Sequence, residues 1–200
     1  MTAKIIDGKK VAQHVRSECK LLVDQMKKLG VSPGLAVIIV GDDPASKVYV
    51  ANKVNACREV GLDSKVYTFP ANATDQEIES EILRLNADPK VHGILVQLPL
   101  PAHLNAKKLI ASISQDKDVD GFHPENFGKM ALDMSTFIPA TPFGILELLE
   151  RYNVPTDGKH TVVIGRSHIV GRPMGILMGR KGFPGNSTVT VTHSHSKNIN

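Results

Sequence analysis

Tryptophan is absent and the aromatic complement is only three tyrosines and six phenylalanines in 200 residues, which argues against a nucleic-acid surface with interleaved rings. Charge of one sign is not concentrated either. The 24 basic residues outnumber the acidic ones to give a net charge of +4, but they are spread along the chain rather than gathered in a block, a distribution that suits anionic small ligands better than a polyanion. Cysteine is scarce: Cys19 and Cys57 stand alone, with no Cys-x-x-Cys and no histidine at ligand spacing. They read as reduced, partly buried thiols of a cytoplasmic protein. The N-terminus, Met-Thr-Ala-Lys-Ile-Ile-Asp-Gly-Lys-Lys, lacks the apolar run of a secretory signal, and no later segment reaches bilayer length, so no membrane role is expected. Internal repeats and low-complexity tracts are lacking too.

What the chain does have is a hydrophobic fraction of 42%, ample for one large domain or two small ones. Apolar residues at Val11, Val15, Cys19, Leu22, Met26 and Leu29, followed by Gly30 and Pro33, predict a long amphipathic helix with a glycine stop. The continuous run Leu35 to Val40 predicts a strand buried on both faces. Gly41-Asp42-Asp43-Pro44 breaks it and opens a helix that carries Val50, Val54 and Cys57 inward. Beside that stripe lie Tyr49 and Lys53, four residues apart and therefore on one helical face. They sit at the carboxyl end of a parallel-type strand, where open α/β sheets place ligands. Taken alone, the pair is also what a solvated lysine next to a half-buried tyrosine would give.

A second strand is expected over Lys65 to Phe69, then a helix capped by Thr74 and Glu77 with Ile78, Ile82 and Leu85 inward. The third strand, from His92, is apolar until Gln97 and is stopped by Pro99 and Pro101. An amide at the end of a buried strand needs partners, so Gln97 either braces the loop or faces a crevice. Asp116, Asp118 and Asp120 crowd five residues, but the further oxygen ligands and distal glutamate of a calcium loop are missing, and no metal is expected. Each aspartate could cap or turn the chain; Asp120, before Gly121, could equally offer its carboxylate to N–H groups of a ligand. Thr141-Pro142 predicts a helix start with a cap and proline at the first position.

After Pro155 the pattern begins again. Thr161 to Ile164 predicts a buried strand, and Gly165-Arg166-Ser167-His168-Ile169-Val170-Gly171 leads into a helix with Pro173 at its head. A glycine turn at a helix N-terminus suits a phosphate, although neither G-x-G-x-x-G nor a Gly-Lys-Ser/Thr loop is present. The following strand, Thr188 to Thr192, ends in His193-Ser194-His195-Ser196 with no acidic residue for a ribose 2′-hydroxyl. Hydroxyls, imidazoles and Arg166 favour a 2′-phosphate, hence NADP over NAD. The two histidines have no third partner that would make them metal ligands.

Taken together, Ser46-x-x-Tyr49-Val50-x-x-Lys53, Gly93-Ile94-Leu95-Val96-Gln97-Leu98-Pro99-Leu100-Pro101, Lys117-Asp118-Val119-Asp120-Gly121, Pro139-x-Thr141-Pro142 and Gly165-Arg166-Ser167-x-x-Val170-Gly171 resemble the FolD-type bifunctional methylenetetrahydrofolate dehydrogenase/cyclohydrolases, in order and approximate spacing over essentially the whole chain. The resemblance implies an α/β fold: an N-terminal three-layer domain, residues 1–140, and the start of a Rossmann-like NADP-binding domain, residues 141–200, with folate in the cleft between them. It implies oxidation of 5,10-methylenetetrahydrofolate by NADP and hydrolysis of the methenyl product to 10-formyltetrahydrofolate. Lys53 would be the central catalytic residue, with Tyr49 and Gln97 orienting it and Asp120 holding the pterin N–H groups; Val96 and Leu98 would complete the substrate site. Gly165, Arg166, Ser167, Val170 and Gly171 would bind the cofactor phosphates and Ser194 the 2′-phosphate. A homodimer is implied as well. Two departures stand out: Ala140 where many relatives have cysteine, and the absence from these 200 residues of the family's Pro-Gly-Gly-Val-Gly-Pro loop and final helix. A monofunctional dehydrogenase and a non-catalytic folate- or nucleotide-binding module are the rival readings; intact Lys53 and Gln97 weigh against the first.

Overall fold

The computed structural model describes residues 3–197, and the chain divides into two compact units, Ala12–Val119 and a second made of Met1–Val11 with Asp120–Asn200. The division falls about twenty residues before the domain boundary drawn from sequence, so residues 120–140 group with the second unit.

In the first unit three parallel strands, β1 (Gly34–Val40), β2 (Asp63–Phe69) and β3 (Gly93–Val96), form a sheet in the order β2-β1-β3. Val37 of the central strand lies opposite Val66 on one side and Leu95 on the other. The helices are α1 (Gly8–Lys28), α2 (Pro44–Val60), α3 (Asp75–Ala87) and α4 (Ala106–Ala111). Ala36, Ile38 and Val40 point to one face, where Ile78, Ile82 and Leu85 of α3 and Leu109 of α4 cover them. Val37 and Ile39 point to the other, with Leu95, Val50 and Val54. Both faces are covered, which is why β1 is a continuous apolar run rather than an alternating one.

The predicted stripe of α1 needs correction. Val11 and Val23 are its buried apolar residues, whereas Leu22 is 59% and Leu29 83% exposed. In the first unit burial follows steps of four, Val15 and Cys19 half-buried and Val23 buried, with Val23 seated where α2 ends. There Gly61 takes φ 79° and leaves its Cβ direction open to Val23 Cγ1, a conformation glycine adopts without cost.

The second unit contains α5 (Pro124–Ala131), α6 (Ala140–Arg151), β4 (His160–Ile164), α7 (Gly171–Gly179) and β5 (Thr188–Thr192). β4 and β5 pair in parallel. Met130, Leu146, Met174, Leu177 and Met178 form its core, with Val163 and Val189 packed against them. The expectation that β4 is a buried strand is met on one face only: Val162 is 53% and Ile164 78% exposed, since among the described residues α7 covers the other face alone. α6 also begins two residues earlier than expected. Pro139 takes the cap position with no side-chain hydrogen bond, and Thr141 and Pro142 lie inside the first turn, where a missing N–H costs no intrahelical bond.

Ile82 has no exposed surface and sits at the centre of the α3–sheet contact. Ile82→Ala is therefore expected to lower the unfolding free energy by about 2–5 kcal/mol, read as a shifted urea midpoint at unchanged slope.

Candidate active site

The end of β1 sets the geometry of the first unit's site. Gly41 (φ 80°) turns the chain while its N–H donates to the Phe69 carbonyl at 2.9 Å. Two residues on, the Asp43 carboxylate accepts from the Ser46 N–H at 2.7 Å and caps α2, with Pro44 in the first turn. Those bonds hold the Asp43 carboxyl below its ordinary value, the backbone bond being the larger cause. α2 then delivers Lys53 on the side facing the end of β3. Gln97 follows β3 directly, and its N–H donates to Ile38 O at 2.9 Å, so its backbone is pinned to the central strand.

The two side chains meet. Lys53 Nζ donates to Gln97 Oε1 at 3.1 Å, and Gln97 Nε2 donates to Leu98 O at 2.7 Å. One amide face takes the ammonium and the other is spent on a carbonyl, which leaves a single consistent orientation. Both residues are half-buried. Among the described residues no carboxylate forms an ion pair with Lys53, so its partner orients the amine without neutralising it. Leu98 precedes Pro99 through a cis peptide bond. Tyr49, one turn before Lys53, is 62% exposed and presents its ring outward rather than half-buried. The Val96 side chain belongs to the core and serves packing. Asp120, half-buried, is the first residue of the second unit. The expectation that Gln97 braces the loop is met at the Leu98 carbonyl; which carbonyl accepts was not readable, because a backbone acceptor leaves no residue-type signal.

In the second unit the expected turn assembles at the ends of β4 and β5. Gly165 (φ 128°) donates its N–H to Thr192 O at 2.8 Å. Ser167 Oγ accepts from the N–H groups of Val170 (3.1 Å) and Gly171 (3.3 Å), so this hydroxyl ties the turn to the start of α7. A Cβ on Gly171 would meet the backbone of Gly165 and Arg166; only glycine lets the turn lie on the helix start. Beyond β5, the Ser196 hydroxyl accepts from His193 N–H at 2.9 Å and closes a turn with Ser194 exposed at its tip. Burial, then the charges of Arg166 and His195, push the His193 imidazole below its ordinary pKa, which places Arg166 close to the β5 end. Exposed Arg166 and Ser194 and the helix N–H groups fit a phosphate-bearing dinucleotide. A cavity of about 680 Å³ between Met130, Met134, Ile138, Arg180 and Phe183 contains none of these residues.

A strand-end lysine–glutamine pair in one parallel α/β unit, and a glycine turn at a helix start in another, are the arrangement of a two-unit α/β protein with a candidate phosphate site. The comparisons narrow the class. Residues 6–120 match the model of the tetrahydrofolate dehydrogenase/cyclohydrolase catalytic domain and residues 139–200 that of its NAD(P)-binding domain. The chain is 60% identical over 98% of its length to the bifunctional protein FolD of Flavobacterium psychrophilum, of which it covers 67%. The bifunctional FolD structure from Campylobacter jejuni superposes with a TM-score of 0.94 at 43% identity, covering 98% of this chain and 68% of that one. The Trypanosoma brucei enzyme, solved with NADP cofactor and inhibitor, gives 0.92 at 34% identity, over 98% and 67%. The chain belongs to the tetrahydrofolate dehydrogenase/cyclohydrolase family, and it spans about two thirds of the length of these relatives. It is a methylenetetrahydrofolate dehydrogenase and methenyltetrahydrofolate cyclohydrolase, with NADP as cofactor.

A depressed pKa means that folding favours the neutral His193 ring. That contribution is present above about pH 6.5, the unfolded value, and is lost as pH falls through the lower folded value. Titrating full-length protein by NMR, His193 should show a midpoint below about 6.5, raised towards it by Arg166→Ala. NADP should raise the midpoint and NAD should leave it in place; equal responses would mean that the 2′-phosphate lies elsewhere.

Proposed function

We propose that Lys53 is the central catalytic residue of the cyclohydrolase step, oriented by Gln97 and Tyr49, and that Asp120 holds the pterin amino and ring N–H groups. The observation that carries this is the Lys53 Nζ–Gln97 Oε1 bond at 3.1 Å. The methenyl substrate is a cationic amidinium; a water oxygen bonds to its carbon and loses both protons as it becomes the formyl C=O, one reaching the departing nitrogen as its C–N bond breaks and the other being released. Lys53 relays those protons. Gln97 keeps the amine aimed, because its own rotation is fixed by the Leu98 carbonyl. The exposed ring of Tyr49 packs against the planar aminobenzoyl or pterin part of the substrate. Asp120 offers two acceptor oxygens to adjacent donors, a bidentate match. The Leu98 backbone and the end of β3 at Val96 border the folate.

In the dehydrogenase step bound NADP accepts hydride from the methylene carbon. The residues that hold it are Gly165, Arg166, Ser167, Val170 and Gly171 at the start of α7, through N–H groups and the guanidinium, with Ser194 on the 2′-phosphate. The protein is proposed to act in the cytoplasm as a homodimer, without nucleic-acid or membrane partners.

Lys53→Met in the full-length enzyme should cut hydrolysis of added methenyltetrahydrofolate by about 10²-fold or more while NADP affinity stays within about twofold of the parent. Retained hydrolysis would remove Lys53 from the chemistry, and a collapse of NADP affinity would make it structural.

A further inference from the structure

The segment just before Asp120 is clamped more tightly than a connecting loop requires. Lys117 Nζ donates to three main-chain carbonyls at the end of α3: Leu85 (3.1 Å), Asn86 (2.8 Å) and Asp88 (2.8 Å). All three ammonium protons are thus used, on the negative end of a helix dipole. The Asn86 side chain ties down the approach, donating to Ser112 O at 2.8 Å and accepting from Ser114 N–H at 2.9 Å. Asp118, 1% exposed, makes a parallel bridge to Ile94 of β3. Val119 then fills the notch left by Gly93: a Cβ there would stand 2.6 Å from Val119 Cγ1. On the far side Gly121 takes φ 67°, with the Ile138–Pro139 backbone 2.7 Å from where its Cβ would be. Asp120 is the one residue between these anchors, at the junction of the two compact units.

We infer that Lys117 is a positioning residue for substrate binding: by clamping residues 117–119 against α3 and β3 it sets the place from which the Asp120 carboxylate meets the folate. This rests on the proposed role of Asp120. A brace whose only effect is on stability would show in the melting temperature alone. A brace that aims a ligand-binding carboxylate shows in the substrate's KM and acts only while that carboxylate is present.

The test is the dehydrogenase assay on the full-length enzyme. Lys117→Met should raise KM for 5,10-methylenetetrahydrofolate by about tenfold or more, with the Kd for NADP unchanged. Gly93→Ala, which displaces Val119 without touching the lysine, should do the same if Lys117→Met does not fold. Asp120→Asn should raise KM too, and adding Lys117→Met or Gly93→Ala to it should raise KM no further. If Asp120→Asn raises KM while Lys117→Met and Gly93→Ala change only the melting temperature, or if the double variants multiply, the inference about Lys117 falls and Asp120 keeps its role. If Asp120→Asn leaves KM unchanged, the reading of Asp120 falls and takes this one with it.

Discussion

The hydrogen bond from Lys53 to Gln97 is the constraint on which the rest of the first unit depends. A lysine side chain has four rotatable carbons and loses much entropy when held; a neutral amide holds it only if the amide itself cannot turn. Gln97 cannot, because Leu98 O takes its NH2 group and Ile38 O takes its backbone N–H. The same central strand fixes the other partner: β1 ends at Gly41, and Asp43 caps α2 two residues later. Both sides of the pair are therefore measured from one buried strand whose two faces are packed by α2, α3 and α4. An aspartate in place of Gln97 would hold the ammonium more strongly, yet it would stabilise the charged form that the proposed proton relay must leave.

In the second unit the proposed phosphate site is a turn held by backbone contacts, with the Arg166 side chain beside it. Gly165 and Gly171 bring the turn onto the start of α7, and Ser167 satisfies two of the helix's first N–H groups. Near it, burial and then the charges of Arg166 and His195 disfavour protonation of His193.

The first unit's strands and helices were legible because their signals are local and redundant. The run Leu35–Val40 and the Thr74–Glu77 capping box each specify one element, and both are present as read. Less was legible where burial depends on a neighbour. The face of α1 is decided by the cap at Gly61, which no periodicity in α1 encodes, and Val162 and Ile164 read as buried although α7 covers only their strand's other face. Within the candidate site Lys53 and Gln97, 44 residues apart in sequence, were nameable from their motifs and do meet. The Leu98 carbonyl and the Lys117 clamp were not, since their partners are main-chain oxygens that every residue possesses.

The central claim, that Lys53 and Gln97 work as one unit, is tested most directly by a double-mutant cycle on cyclohydrolase rate with Lys53→Met, Gln97→Ala and the pair. If Gln97 acts by aiming Lys53, the double variant is no slower than Lys53→Met alone. Losses that multiply, each variant slowing the other by its own full factor, would show that the two residues act independently and would contradict the account.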